Sequence, residues 1–340
     1  MKRSFSLFLL FIFLLTGAFA QGSITDLINE GIKLHDKGEY ADAIDVYKKA
    51  LLINKRSAYA NYEIASSYFA LKDYNNAMIY AETVIALKTD YIDQAYLLKG
   101  SVQDVLGKPL EAIKTYKKAI QKYPNKHLLY YNLALTSFNL KQYKDAENAL
   151  QHALKIEPSH ASSHFLLAIT MITQEKRAKG ILALYNFLLL EPKSKRTASA
   201  LQTLMEELQK GVKKDVEKPV TITMPVNKDE DEFYTAELML GLLASSRYNE
   251  SNKNKTAPRL FAENTNSFFT ILGEMKKNKK GFWWDFYVDY FYKLATNDHT
   301  EAFCYYITQS KEDVYSEFIK DNLPKLELFS EWYTKQPHKF

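Results

Sequence analysis

Small residues return along this chain at a fixed interval: Gly31, Ala65, Gly100, Ala134 and Ala168 are spaced by 34, 35, 34 and 34 residues. A second series, Ala43, Ala77, Ala112, Ala146 and Gly180, keeps step with the first, and Pro124, Pro158 and Pro192 close the last three units. A period of this length marks stacked supersecondary units, each too small to bury its own apolar face and completed by its neighbours.

The beat has a packing cause. Two antiparallel helices approach closely only where a side chain is nearly absent, so each hairpin needs a small residue on both helices at the crossing; Gly31 and Ala43 are the first such pair. Between them Lys37-Gly38-Glu39-Tyr40 is a turn signal, repeated as Lys72-Asp73-Tyr74, Leu106-Gly107-Lys108-Pro109 and Lys141-Gln142-Tyr143. Larger residues on each second helix, Tyr47, Tyr116, Leu150 and Leu184, are expected to fill the space between neighbouring hairpins. The prolines end each unit because they cannot continue a helix interior.

Gly31, Gly38, Tyr40, Ala43, Tyr47 and Ala50 together resemble a tetratricopeptide repeat. Gly100, Gly107, Ala112, Tyr116, Ala119 and Pro124 fit the third copy, with Pro109 in place of the usual tyrosine, and Ala134, Tyr143, Ala146, Ala153 and Pro158 fit the fourth. The fifth departs most. Arg177, Gly180 and Phe187 stand where tyrosine, alanine and alanine are typical, so its second helix is expected to pack against something other than another repeat. The resemblance covers residues 24–194, in units 24–57, 58–91, 93–126, 127–160 and 161–194. It implies an all-α, right-handed superhelical solenoid of about five hairpins and a non-catalytic scaffold for a protein or peptide partner, with no cofactor.

The family presents the first helix of each hairpin on a concave groove. Carried onto this chain, the groove positions are Tyr59, Tyr62, Ser66 and Phe69, then Gln94, Leu97, Ser101 and Asp104, then Tyr131, Leu135 and Phe138, and finally Phe165 and Ile169. Such a face is aromatic and apolar. The carboxylate clamp of the family's chaperone-binding subset is not reproduced, since Ile28, Ile32, Gln94 and Leu98 occupy its places, and this disfavours an acidic-tail partner. An apolar groove calls for a cover. Two candidates fit: an external apolar helix or strand, or the protein's own C-terminal region docked back on the groove.

The amino terminus carries a targeting pattern. Lys2 and Arg3 precede the apolar run Leu7 to Leu15, and Ala18-Phe19-Ala20 has the small-any-small form of a signal-peptidase site, which predicts residues 1–20 as a signal peptide and Gln21 as the mature start. The competing reading, an uncleaved anchor, needs about 20 apolar residues, and Phe5 to Ala20 is short of that. No cysteine follows the site to carry a lipid, and no later stretch is apolar enough to span. The likeness to exported bacterial tetratricopeptide proteins points to a periplasm or cell surface. In a eukaryotic host, Asn249-Glu-Ser and Asn254-Lys-Thr would accept glycans.

Charge excludes one class of partner. Without Lys2 and Arg3 the chain has 43 basic against 40 acidic residues, a net of +3, too little for nucleic-acid binding. The single cysteine, Cys304, sits in the apolar stretch Ala302 to Ile307 and reads as a small core residue.

After Pro192 the beat stops. Residues 195–211 form a capping helix, with apolar spacing at Ala198, Leu201, Leu204, Met205 and Leu208, and Gly211 ends it. Residues 212–231 read as an extended linker in which Val220 to Thr223 is a lone strand candidate with no mate in the chain. Residues 232–340 form a C-terminal helical domain, with helices expected over Phe233–Ser246, Pro258–Lys277, Phe282–Ala295 and Thr300–Gln309, and one or two between Glu312 and Lys335.

Within that domain, residues 282–292 are aromatic nearly all round, apart from Asp285 and Asp289 on one helical face. A buried central helix requires such a surface. The rival reading is a platform for a cell-wall glycan or other carbohydrate, bound or processed by Trp283, Trp284, Asp285 and Asp289. Lys276 to Lys280, ending at Gly281, read as a helix stop, with an anionic membrane surface or acidic glycan as the alternative. His160 and His164 have zinc-like spacing but no third ligand nearby, so no metal is expected. No phosphate loop, nucleophile elbow or His-Glu-any-any-His pair is present on which to place catalysis.

Overall fold

The computed structural model describes residues 24–213, 221–222 and 232–336, so the signal-peptide and cleavage-site expectations lie outside the described residues. Among the described residues the chain is all-α apart from one two-residue strand pair, and it divides into two compact units between Leu140 and Lys141.

The first unit holds α1 (24–36), α2 (Tyr40–Ile53), α3 (Ala58–Ala70), α4 (Tyr74–Leu87), α5 (Ile92–Val105), α6 (Pro109–Lys122) and α7 (His127–Asn139), antiparallel neighbours in sequence. Each first helix ends on a left-handed residue: Gly38 (φ 83°), Lys72 (62°) and Gly107 (76°). The amide one residue further on then closes back onto the last turn, Glu39 to the Leu34 carbonyl, Asp73 to Tyr68 and Lys108 to Gln103. This Schellman closure satisfies carbonyls that the helix end would leave bare. The same closure recurs in the second unit at Glu175 (φ 60°), where Lys176 donates to Met171. Side-chain caps start the following helices, with Ser57 accepting from the Ala60 amide and Asp73 from Asn76.

The small residues meet large ones inside their own hairpins. A Cβ at Gly31 would lie 2.3 Å from Tyr47 Cε1, and one at Gly100 would lie 2.3 Å from Tyr116 Cε1. Tyr47 and Tyr116 therefore fill the crossing within a hairpin as well as the space beside it. Ala43, Ile44 and Tyr47 pack with Ile64 of the next hairpin, and Tyr116 and Ala119 with Leu129 of α7, so adjacent hairpins share each core. Full burial of an aliphatic side chain such as Ile64 contributes about 1.5–3 kcal/mol.

The second unit begins with α8 (Tyr143–Ile156), α9 (Ala161–Thr173), α10 (Arg177–Leu190) and α11 (Thr197–Gln209). The C-terminal helices follow: α12 (Tyr234–Ser245), α13 (Ala257–Lys276), α14 (Asp289–Thr296), α15 (Thr300–Ile307) and α16 (Glu312–Lys335), the last kinked at Asn322 before Pro324. Every residue of α10 from Ala178 to Leu189 is buried. This matches the departure of the fifth unit from its pattern, because α10 packs on α9, α11, α12 and α15. The C-terminal region is thus built around the last hairpin. Glu237 of α12 accepts from the Ala178 amide at 2.7 Å, supplying α10 with an amino-terminal cap from another helix.

The lone-strand expectation is corrected. Val212–Lys213 pairs antiparallel with Thr221–Ile222, Val212 opposite Ile222. The mate is hard to see in the sequence because it is two residues long and directly follows Gly211, whose φ of 82° turns the chain out of α11.

Candidate functional site

Two places carry the site expectations, one in each unit. In the first lie Tyr59, Tyr62, Ser66, Phe69, Gln94, Leu97, Ser101, Asp104, Tyr131, Leu135 and Phe138. Ser101 and Asp104 lie on α5 and Phe138 on α7, and most of the set is half-buried, with the aromatic members neither in the core nor fully exposed. Tyr59 stacks on Tyr91 with ring centres 4.7 Å apart and planes 3° from parallel, and Tyr62 stacks on the same ring at 5.9 Å. Three tyrosines therefore form one tier on α3 and the α4–α5 turn.

Tyr91 is not among the expected positions, although its signal is in the sequence. The interval from Ala65 to Gly100 is one residue longer than the others. That extra residue lies in a turn with left-handed Lys88 (φ 54°) and Tyr91 (φ 64°), and it swings Tyr91 over α3. Beside the tier, burial pushes the Tyr62 hydroxyl and the Glu63 carboxyl up, the latter against a hydrogen bond from Tyr59. The Gln94 side-chain oxygen is buried without a hydrogen-bond partner, an acceptor left open on α5. Asp104 accepts from Thr136 at 3.0 Å and Ser101 lies 3.3 Å from the Tyr116 hydroxyl, so these two polar positions hold their own helices together.

In the second unit Phe165 packs on Phe187 with ring centres 4.9 Å apart, and the Arg196 guanidinium lies over both rings. The C-terminal helices meet the repeats elsewhere. Trp283 Nε1 donates to Glu147 of α8 at 3.1 Å, and the Tyr287 hydroxyl lies 2.6 Å from His164 Nδ1 on α9. The C-terminal region therefore contacts the last repeats at Glu147, His164 and α10.

The carbohydrate platform is corrected by the packing of residues 282–292. Trp283 and Trp284 are buried, with Trp284 stacked on Phe233 at 4.5 Å and covered by Lys279 on its ring. Neither indole presents an open face to a sugar. The carboxylate stripe is occupied too: Lys276 pairs with Asp285 at 3.2 Å and Asp289 at 3.0 Å, and Lys293 with Asp289 at 2.7 Å. The Gly281 amide, then Lys276, holds the Asp285 carboxyl below the usual carboxylate range. Residues 283–288 form a π-helical turn, one residue wider than an α turn, that leads directly into α14.

Both ring nitrogens of His164 are engaged by protein groups. Its Nε2 donates to the Pro158 carbonyl at 2.8 Å, which fixes the tautomer and leaves Nδ1 to accept from Tyr287. No group of three His, Cys, Asp or Glu side chains among the described residues is placed to hold a metal. Cys304 is buried, and burial pushes its thiol far above the usual range, against the chemistry of a nucleophile.

Family models match the hairpins described above: the tetratricopeptide repeat over residues 29–92, and anaphase-promoting complex, cyclosome, subunit 3 over residues 70–153. The chain carries tetratricopeptide repeats over residues 29–92. The human protein O-mannosyl-transferase TMTC3 is 34% identical over 88 residues, 26% of this chain and 10% of that protein. The TPR repeat-containing protein MJ1428 of Methanocaldococcus jannaschii is 22% identical over 206 residues, 58% of this chain and 36% of that one. The chain thus spans about a tenth and about a third of these two curated relatives. Among solved structures, TTC0263, a thermophilic tetratricopeptide protein of Thermus thermophilus, has 20% identity and a TM-score of 0.46, covering 55% of this chain and 99% of that one. Tetratricopeptide folds typically serve as non-catalytic scaffolds for protein–protein interaction. Among the described residues, no helix of this repeat protein is long and apolar enough to cross a membrane.

Proposed function

We propose that this tetratricopeptide protein is exported and holds a protein or peptide partner, without catalysis, against the aromatic face of its early hairpins. The observation that carries the proposal is the Tyr59–Tyr62–Tyr91 tier, half-buried and stacked, with the unpartnered Gln94 oxygen on the adjoining helix. Stacked tyrosines present a rigid amphipathic surface that loses little side-chain entropy on binding. Glu63 beside Tyr59 adds negative character and argues against an acidic tail. Export rests on Lys2, Arg3, the apolar run and Ala18-Phe19-Ala20.

The test is cross-linking of the full chain in its native host, with the exported fraction analysed by mass spectrometry. A reproducible partner lost in Tyr62→Ala and Phe138→Ala, at unchanged melting temperature, supports the reading, and so does a mature chain beginning at Gln21. Strong thermal destabilisation of both variants, or a partner that binds them as well as it binds the parent, overturns the groove as the docking face.

A further inference from the structure

Four helices of the second unit, α11, α12, α13 and α15, leave between them a cavity of about 760 Å³. Its volume lies in the range of small-molecule sites, and its wall is apolar: Met205 and Leu208 from α11, Leu240 and Leu243 from α12, Phe261 and Phe268 from α13. Four cations line the same space, Arg247, Lys253, Lys255 and Lys311, and no described aspartate or glutamate does. Two of them are neutralised from outside the cavity, Lys253 by Glu250 and Lys255 by Glu263. Arg247 is held differently: its Nη1 donates to the neutral Gln209 side chain at 2.7 Å, its guanidinium lies 4.7 Å from the Tyr248 ring centre, and its Nε is buried with no hydrogen-bond partner.

The Arg247 guanidinium lines the cavity and no acidic side chain among the described lining residues faces it, so an anion in the cavity can accept a charge-assisted hydrogen bond from it. An apolar chamber of this size beside such a group suits a molecule with a hydrocarbon body and an anionic head. We infer that this cavity is a binding site for a single-chain anionic amphiphile, its chain among Leu240, Leu243, Phe261 and Phe268 and its head against Arg247. The site shares no residue with the tyrosine tier, and its test is independent of the partner proposed there. Lys311, at the start of α16, also lines the cavity. Ala244 lines the cavity and is nearly buried, so a larger side chain there takes up chamber volume.

The test is calorimetric titration of the full chain with decanoate and with decyl phosphate, below their micellar concentrations, beside decan-1-ol and inorganic phosphate. Both anionic amphiphiles are expected to bind saturably at one site, with decan-1-ol and the Arg247→Gln variant about tenfold weaker. Inorganic phosphate is expected to give no binding, and Ala244→Phe to abolish binding of the amphiphiles while melting as the parent does. A difference between the carboxylate and the phosphate identifies the head group preferred. The inference is overturned if neither anion binds saturably, if decan-1-ol binds as tightly as decanoate, or if inorganic phosphate alone occupies the site. Should Ala244→Phe fail to fold, Arg247→Gln decides: binding of decanoate at parental affinity removes Arg247 as the head-group partner and with it the proposal.

Discussion

Tyr287 donates its hydroxyl to His164 Nδ1 at 2.6 Å, while His164 Nε2 donates to the Pro158 carbonyl at 2.8 Å, so one neutral imidazole ties the aromatic segment to the last repeat. The His164 ring also lies nearly parallel to Phe286, with ring centres 5.8 Å apart. Burial in this apolar setting pushes the imidazole down to about 4, with the Pro158 carbonyl opposing the shift and His160 adding to it.

Acid should therefore loosen this unit. The unfolded chain protonates His164 near pH 6.5 and the folded chain only near 4, so its contribution to stability is intact above 6.5 and is lost progressively between those values. The loss is on the order of 3 kcal/mol. Chemical denaturation at pH 7.5 and 4.5 is expected to show it in the parent and to show a smaller difference in His164→Asn. Equal pH dependence in the two would rule out His164 as its source.

Trp283→Phe should destabilise the protein by about 1–3 kcal/mol, because it removes the indole N–H from Glu147, which is itself buried. Trp283→Phe combined with Glu147→Leu should recover part of that loss, since no buried carboxylate is then left short of a donor. Equal melting of Trp283→Phe and parent would show that the bond contributes nothing.

Gly31→Ala and Gly100→Ala should each cost about 1–3 kcal/mol, by overpacking against Tyr47 and Tyr116. Gly31→Ala in a Tyr47→Leu background should cost less than in the parent. Additive effects of the two changes would contradict the steric account.

Lys72→Gly should raise stability by about 1 kcal/mol, because Lys72 holds φ 62° at a turn where Gly38 and Gly107 serve the same role. The converse change, Gly38→Ala, should lower it by a similar amount, since the position has open space but a φ of 83°. Midpoints of urea unfolding, read at constant slope, check both signs.

Much of this architecture is legible in the sequence because it is local and repeated. Gly31, Ala43 and Gly38 specify a crossing and a turn within a few residues of one another, and four further copies average out the exceptions. The departure of the fifth unit at Arg177, Gly180 and Phe187 likewise points to an unusual neighbour for α10, and α10 is buried along its length. The groove positions on each first helix are what the family resemblance implies once its repeat is laid on the period, and Tyr59 and Tyr62 among them stack on one ring. Tyr91, which supplies that ring, is not among them, because a one-residue insertion breaks the period and its direction depends on two left-handed turns.

What the chain determined by itself is the hairpin unit, its length, its caps and its small-against-large crossings, since these rest on contacts between residues near in sequence. The tertiary structure decided which partners lie far along the chain: Glu147 with Trp283, His164 with Tyr287, Tyr185 with Thr265 at 2.8 Å. An aromatic helix reads the same in sequence whether it is a ligand platform or a core. Only the helices folded around residues 282–292 give both of its indoles protein neighbours, because burial depends on surfaces that no local spacing encodes.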